Sequence, residues 1–260
     1  MAVSPDKFQK IEIIERKDFS PDLWSVRVRT EQKLAFKPGQ YATLGVERHS
    51  KLVQRAYSIV SSPCEEEIEF FFELVPQGEL TPLLYELKTG DTLWMRRQAR
   101  GLFTLDTASG HKNHLLLCTV TGVAPYVSMA RTFARSHQEG APAEHRCFVI
   151  QAASRSWEFA YCDELRELAG GSASWLHYIP AVSRPWEDPD WAGEVGRVED
   201  IARKYVDSLA LDPAQTTAYL CGHPQMIENC KGILQRRGFA KESIREEIYW
   251  IPAKPPRVPA

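Results

Sequence analysis

The pattern of apolar and polar residues changes near the middle of the chain. From residue 8 to about residue 106, short segments such as Trp24–Thr30 alternate apolar and polar positions, which is typical of antiparallel strands with one buried face. Only Leu80–Leu87 has helical spacing, with Thr81 as the predicted N-cap and Pro82 at the first helical position. The predicted strands are Phe8–Arg16, Leu23–Thr30, Tyr41–Val46, Arg55–Val60, Ile68–Val75 and Asp91–Arg97. This pattern predicts a closed, antiparallel, six-stranded β-barrel.

Beyond a polar stretch at 106–113, apolar strands alternate with amphipathic helices. The predicted strands are His114–Thr121, Cys147–Ala152, Trp175–Val182, Thr217–Gly222 and Ile244–Trp250, and the predicted helices are Pro125–His137, Glu158–Ala169, Val198–Leu209 and Pro224–Arg237. This alternation predicts a doubly wound, parallel, five-stranded sheet. We therefore predict two domains, residues 1–108 and 109–260, the second ending in a proline-rich tail at 251–260. A ligand is expected where the domains meet, at the carboxyl ends of the parallel strands.

The composition narrows the possible functions. A formal net charge of -2 gives no general support for nucleic-acid binding. The N-terminus lacks the pattern of a secretory signal, and apolar runs such as Leu115–Cys118 are too short to cross a bilayer, so we expect a cytoplasmic monomer without membrane contact. None of the six cysteines forms a C-x-x-C pair, which argues against a zinc or iron–sulfur site and favours reduced thiols. No metal site is predicted.

The first half contains two segments suited to a phosphate-bearing ligand. Alternation along Arg55–Ser58 places Arg55 and Tyr57 on one face of the strand and Ser58 on the other. An arginine can bind a pyrophosphate through two N–H groups, and a tyrosine can cover an aromatic ring. The segment Gly78–Thr81 opens the predicted helix, whose first N–H groups favour an anion. A solvated surface strand and an ordinary capped helix are the alternatives.

The second half has two strand-to-helix turns with similar potential. After the first strand of this half, Thr121 and Gly122 form a turn, and Pro125 begins a helix whose dipole favours a phosphate. A tight turn without a ligand is the alternative, since the G-x-G-x-x-G fingerprint is absent. Near the end of a later strand, Cys221-Gly222 would place a thiol at the domain junction; the alternative is a small buried side chain.

Taken together, these segments resemble the ferredoxin–NADP(+) reductases of bacterial type, in order and over essentially the whole chain. The resemblance implies that Arg55 binds the FAD pyrophosphate, that Tyr57 lies against the isoalloxazine ring, and that Ser58 bonds near its N5 atom. The implied FAD-binding residues are Arg55, Ala56, Tyr57, Ser58, Gly78, Leu80, Thr81, Tyr249 and Trp250.

The same resemblance assigns NADP(H) to the second half. Residues 119–125 resemble the family's T-G-T-G-x-A-P segment, with Val120 in place of the first glycine. The implied coenzyme-binding residues are Thr121, Gly122 and Pro125 at the pyrophosphate, Cys221, Gly222, Pro224 and Met226 at the nicotinamide, and Arg155, Arg184 and Arg197 at the 2′-phosphate. Among them, Arg155 lies one position later than the family pattern places it.

The C-terminus resembles the family's E-x-Y-W ending. Within Glu247–Trp250, the aromatic residues Tyr249 and Trp250 would cover the flavin ring or stack on the FAD adenine, and the sequence does not decide between these two roles. Ser58, Cys221 and Glu247 are the implied catalytic residues: the first two line the hydride path, and Glu247 relays a proton or orients the ring. The tail at 251–260 is expected to be extended. It would either pack over the FAD or remain a disordered segment at the surface.

The resemblance implies an FAD-dependent enzyme that transfers electrons between NADP(H) and a ferredoxin or flavodoxin. Arg96, Arg97 and Arg100 form a basic cluster that would attract an acidic redox partner; a solvated charge run is the alternative. Two other functions remain open at this point. One is reduction of small acceptors such as free flavin or ferric chelates, and the other is a non-catalytic interaction subunit that retains the fold.

Overall fold

The computed structural model describes residues 6–142, 144–171 and 175–249. Trp250 and the tail at 251–260, for which roles are implied above, lie outside the described residues. Within the described part of the chain, no helix is both long and apolar enough to span a bilayer. All six cysteines are free thiols.

The first half is an antiparallel sheet of six strands that closes on itself. The strands are β1 (Phe8–Ser20), β2 (Leu23–Arg29), β3 (Tyr41–Arg48), β4 (Lys51–Ser58), β5 (Ile68–Glu73) and β6 (Thr92–Arg96). Their order is β4-β3-β6-β1-β2-β5, and an antiparallel bridge between Ile59 and Phe70 joins the two edges. The predicted barrel is thus confirmed, and its interior is filled by Trp24, Phe70 and Phe72, none more than 1 % exposed.

The helix of the barrel half, α1 (Thr81–Tyr85), is shorter than predicted and starts differently. Leu80, not Thr81, occupies the N-cap position. The Thr81 hydroxyl instead accepts a hydrogen bond from the N–H of Val75 at 3.0 Å and lies 3.2 Å from the carbonyl of the same residue, so it fastens the preceding loop. The prediction of Thr81 as a helix cap was therefore wrong, because its hydroxyl bonds to Val75 in the preceding loop and not to the first turn of the helix.

The second half is a parallel sheet with helices on both faces, as predicted. Its strands are β7 (Asn113–Thr119), β8 (Arg146–Ala153), β9 (Leu176–Val182), β10 (Glu194–Val195), β11 (Thr216–Gly222) and β12 (Ile244–Ile248), in the order β10-β9-β8-β7-β11-β12. The helices are α2 (Ala124–Gln138), α3 (Cys162–Gly170), α4 (Val198–Ser208) and α5 (Pro224–Arg236). The two-residue strand β10 adds a sixth member to the five predicted, since so short a segment has no periodicity to detect. Helix α3 begins four residues later than predicted, because Ser156–Glu158 forms a separate 3-10 turn.

Helix α2 joins the two halves. Ser128 donates a hydrogen bond to the carbonyl of Ser61 at 2.7 Å, and Thr132 donates to Ser62 at 3.0 Å. Between them, Arg131 pairs with the buried carboxylate of Glu69 in β5 at 2.7 Å. Because α2 follows directly from the turn at the end of β7, these contacts fix that turn relative to the barrel.

Candidate active site at the domain junction

Three side chains from the two halves meet where β4 and β12 end. The hydroxyl of Ser58 donates to the carboxylate of Glu247 at 3.0 Å, and the hydroxyl of Tyr249 donates to Ser58 at 3.2 Å. The Tyr249 hydroxyl also lies 3.4 Å from the carbonyl oxygen of Thr121, in the turn after β7. Ser58 and Glu247 are 189 positions apart in the chain, so the closure of the two domains brings them together.

Burial changes the proton affinity of two groups at this junction. It raises the pKa of Glu247 to about 7, although the hydrogen bond from Ser58 acts in the opposite direction. This carboxyl group can therefore gain and lose a proton near neutral pH. Burial, with a smaller contribution from Glu247, raises the pKa of Cys221 well above its usual range. Cys221 is 0 % exposed, pairs with Glu247 in the register of β11 and β12, and is present as a neutral thiol.

The turns after β7 and β11 pack directly against each other. A Cβ atom on Gly122 would lie 2.3 Å from the carbonyl oxygen of Cys221, and one on Gly222 would lie 2.4 Å from Oγ1 of Thr119. Gly222 also has a φ of +130°, which side chains rarely adopt. Only glycine fits either position, so the two turns lie in direct contact at the carboxyl ends of the central strands.

Val120, which stands where the resemblance expects a glycine, adopts a φ of +41°. Left-handed backbone is costly for a β-branched residue, and such strain is retained where surrounding structure imposes it. Val120 thus adopts a backbone conformation that glycine would take at lower cost. Pro125 lies in the first turn of α2, where its fixed φ suits the helix and its missing N–H costs nothing.

The two predicted FAD segments of the barrel lie side by side. Arg55 is exposed on β4 and forms an ion pair with Glu79, and its Nη1 donates to the carbonyl of Gln54 at 2.7 Å. Tyr57 packs edge-on against Phe72, with ring centroids 4.8 Å apart. The side chain of Leu80 is 1 % exposed and belongs to the barrel core, so only its backbone is available to a ligand. The same holds for Met226, whose side chain lies in the core of the second half.

Two of the three predicted phosphate-binding arginines form a network at the carboxyl ends of β8 and β9. Arg155 donates from Nε to Glu187 at 2.7 Å and from Nη1 to Glu158 at 2.9 Å. Arg184 lies 3.6 Å from the other carboxylate oxygen of Glu187. Arg197 is exposed at the start of α4. The sequence alone did not predict the acidic members of this network, because a carboxylate three positions from an arginine is common in any chain.

The side chains of the predicted basic cluster are less exposed to solvent than the sequence indicates. Arg100 is exposed, whereas Arg96 and Arg97 are partly buried, and the guanidinium of Arg96 lies 5.2 Å from the ring centre of Phe8. Close by in the chain, Leu102 is 93 % exposed. An exposed apolar side chain next to arginine is a common feature of docking surfaces.

Comparison with known proteins assigns each half to a family of domains. Residues 10–101 match the oxidoreductase FAD-binding domain, and residues 116–232 match the oxidoreductase NAD-binding domain. The ferredoxin–NADP reductase of Pseudomonas aeruginosa is 32% identical over 232 residues, which cover 84% of this chain and 85% of that protein. The chain belongs to the ferredoxin–NADP reductase family. It is an FAD-dependent oxidoreductase with both cofactor-binding domains.

A second relative supports the same assignment, and a solved structure shows the same fold. The flavodoxin/ferredoxin–NADP reductase of Escherichia coli is 30% identical over 199 residues, covering 75% of this chain and 77% of that protein. Among solved structures, a ferredoxin NADP+ reductase from Neisseria gonorrhoeae with bound FAD and NADP superposes with a TM-score of 0.79. At 24% identity, covering 93% of this chain and 98% of the other, that structure demonstrates the shared fold.

Proposed function

We propose that this reductase transfers electrons between NADP(H) and a ferredoxin or flavodoxin through a bound FAD. The observation that carries the proposal is the junction of Ser58, Glu247 and Tyr249 beside the buried thiol of Cys221. It joins the end of a barrel strand to the carboxyl ends of a parallel sheet, where open α/β sheets bind their ligands. The boundary near residue 108 that we propose between the two domains falls between the two matched ranges.

The residues present fit both cofactors. The turn at Gly122 leads directly into the first turn of α2, whose free N–H groups suit a pyrophosphate. On the barrel, the exposed guanidinium of Arg55 has a planar set of donors suited to a second pyrophosphate. Tyr57, half-buried on the same strand, presents an aromatic surface beside it.

When bound, FAD and NADP(H) supply the hydride and electron chemistry, and the protein supplies position and electrostatics. In the proposed site, Arg55 and the backbone of 78–81 would hold the FAD pyrophosphate, and Ser58 would orient the flavin edge. Cys221 is a small, neutral group that would let the nicotinamide approach closely. Glu247, which can exchange a proton near neutral pH, holds one near Ser58. Tyr249 covers the site and excludes water.

The proposal is tested by the spectrum and redox behaviour of the purified protein. We expect flavin absorbance that NADPH bleaches under anaerobic conditions and that an oxidised ferredoxin or flavodoxin restores. Bleaching that only free flavin or ferric chelates reverse would favour a reductase of small acceptors. A colourless protein that does not take up FAD would contradict the proposal.

A docking role for the cluster of Arg96, Arg97 and Arg100 is a finer part of the proposal. Its support is the exposure of Arg100 and Leu102 on one loop of the barrel domain. Charge reversal, Arg100→Glu, should weaken the salt dependence of electron transfer to an acidic partner protein and leave ferricyanide reduction unchanged. An unaltered salt dependence would remove this surface from the docking site.

A further inference from the structure

Glu187 occupies the space between two arginines that the proposed function assigns to the coenzyme 2′-phosphate. Nε of Arg155 donates to Oε2 of Glu187 at 2.7 Å, and a second N–H of the same guanidinium pairs with that oxygen. Oε1 of the carboxylate lies 3.6 Å from Nη1 of Arg184. Both oxygens of one carboxylate thus face cations from two different strand ends.

The backbone holds Glu187 in this place. It ends the 3-10 turn Pro185–Glu187, and its own N–H donates to the carbonyl of Arg184 at 3.0 Å. The next residue, Asp188, is 6 % exposed and accepts a hydrogen bond from the N–H of Ser156 at 2.7 Å, which ties this turn to the end of β8. These bonds hold the backbone of the turn, and the carboxylate of Glu187, whose side chain is 34% exposed, is positioned by its contacts with Arg155 and Arg184.

The charges in this network balance. The guanidinium of Arg155 also contacts Glu158, whose other oxygen accepts the N–H of Ser154 at 2.8 Å. Two guanidinium groups are thus matched by two carboxylates within hydrogen-bond or ion-pair distance. A 2′-phosphate dianion that binds here must compete with Glu187 for the donors and lie close to its charge, whereas a 2′-hydroxyl can donate a hydrogen bond to it.

We propose that Glu187 determines coenzyme selectivity, lowering the preference for NADPH so that NADH is also accepted. This inference rests on the proposed function. A dianion about 6 Å from a single carboxylate charge in a water-like dielectric binds more weakly by a factor of about ten. Removal of this one charge should therefore change the discrimination between the two coenzymes by about that factor.

The test compares Glu187→Gln with Asp190→Asn in the FAD-loaded protein. Asp190 is exposed in the same loop, so its variant makes the same change in net charge without touching the arginine network. Isothermal titration with 2′-phospho-AMP and with 5′-AMP measures binding apart from catalysis, and the ratio of kcat/KM for NADPH and NADH measures selectivity. We expect Glu187→Gln to bind 2′-phospho-AMP about tenfold more tightly and to use NADH less well, with Asp190→Asn unchanged.

Equal affinity for 2′-phospho-AMP in the parent and in Glu187→Gln would overturn the inference, as would an equal gain in Asp190→Asn. A failure of the proposed function would be recognised by a different observation from either of these two results. In that case neither NADPH nor NADH would bleach the flavin of the parent, while the titration with the two nucleotides would still report on Glu187.

Discussion

Arg131 is the strongest candidate for a single side chain on which the docking of the two domains depends. Its Nη1 contacts Glu69 at 2.7 Å, and Nε and Nη2 bind both oxygens of Glu164 at 2.6 and 2.9 Å. Glu69 belongs to the barrel and its side chain is only 7% exposed, whereas Arg131 and Glu164 belong to the parallel-sheet domain. Arg131→Met keeps the apolar stem and removes the charge.

The cost of this change follows from the burial of Glu69. Loss of one member of a buried pair leaves an uncompensated charge and costs about 3–5 kcal/mol. In this case Tyr161 still donates to Glu69 at 2.8 Å, and Nη2 of Arg27 lies 3.5 Å from its carboxylate. We therefore expect a loss at the lower end, about 3 kcal/mol, which corresponds to a fall in Tm of about 6–12 °C.

The assay is thermal and chemical denaturation of the FAD-loaded variants, followed by circular dichroism and by flavin fluorescence. Arg135→Met is the matched control, because Arg135 lies one turn further along α2 and its pair with Glu139 is exposed, so we expect no measurable change. The double variant Glu69→Gln with Arg131→Met should recover part of the loss, since it also removes the stranded carboxylate. If Arg131→Met loses less than about 1 kcal/mol, or no more than the control, the reasoning about Glu69 is refuted.

Three further predictions concern the proposed site and the core. Because the pKa of Glu247 is about 7, electron transfer in the direction that takes up a proton should slow as the pH rises through about 7. Stopped-flow rates of Glu247→Gln should lack this pH dependence. If the variant retains it, Glu247 is not on the proton path. Arg55→Ala should weaken FAD binding by about 1.5–3 kcal/mol in a fluorescence titration, and an unchanged Kd would refute the pyrophosphate assignment. Burial lowers the pKa of His114 to about 3, below its value of 6.5 in the unfolded chain, so the unfolded state binds the proton first as the pH falls. The free energy of unfolding should therefore decrease below pH 6.5 by up to about 1.4 kcal/mol per pH unit, and His114→Gln should show a shallower slope in urea denaturation; equal slopes would exclude His114 as the cause.

The sequence by itself determined the two-part architecture. Residue periodicity is a local property: alternation along β2 and helical spacing along α2 are set by which face each residue buries. The turn at Gly122 was recognisable from the strand and helix on either side of it, whereas the contact with Cys221 that requires glycine there is visible only in the tertiary structure. The boundaries were less well determined where a side chain bonds outside its own element, as with Thr81, whose hydroxyl binds the loop at Val75.

Only the tertiary structure decided which side chains meet. The pairing of Ser58 with Glu247, and the charge balance of Arg155 and Arg184 with Glu187, join residues 189, 32 and 3 positions apart. Hydrogen bonds and ion pairs depend on distances of a few ångströms, which leave no periodic trace along the chain. Closure of the two domains fixes the first of these contacts, and the packing of the strand ends within the parallel-sheet domain fixes the other two. Likewise the pKa of Glu247 depends on burial between two domains, a property of the assembled fold and not of the residue.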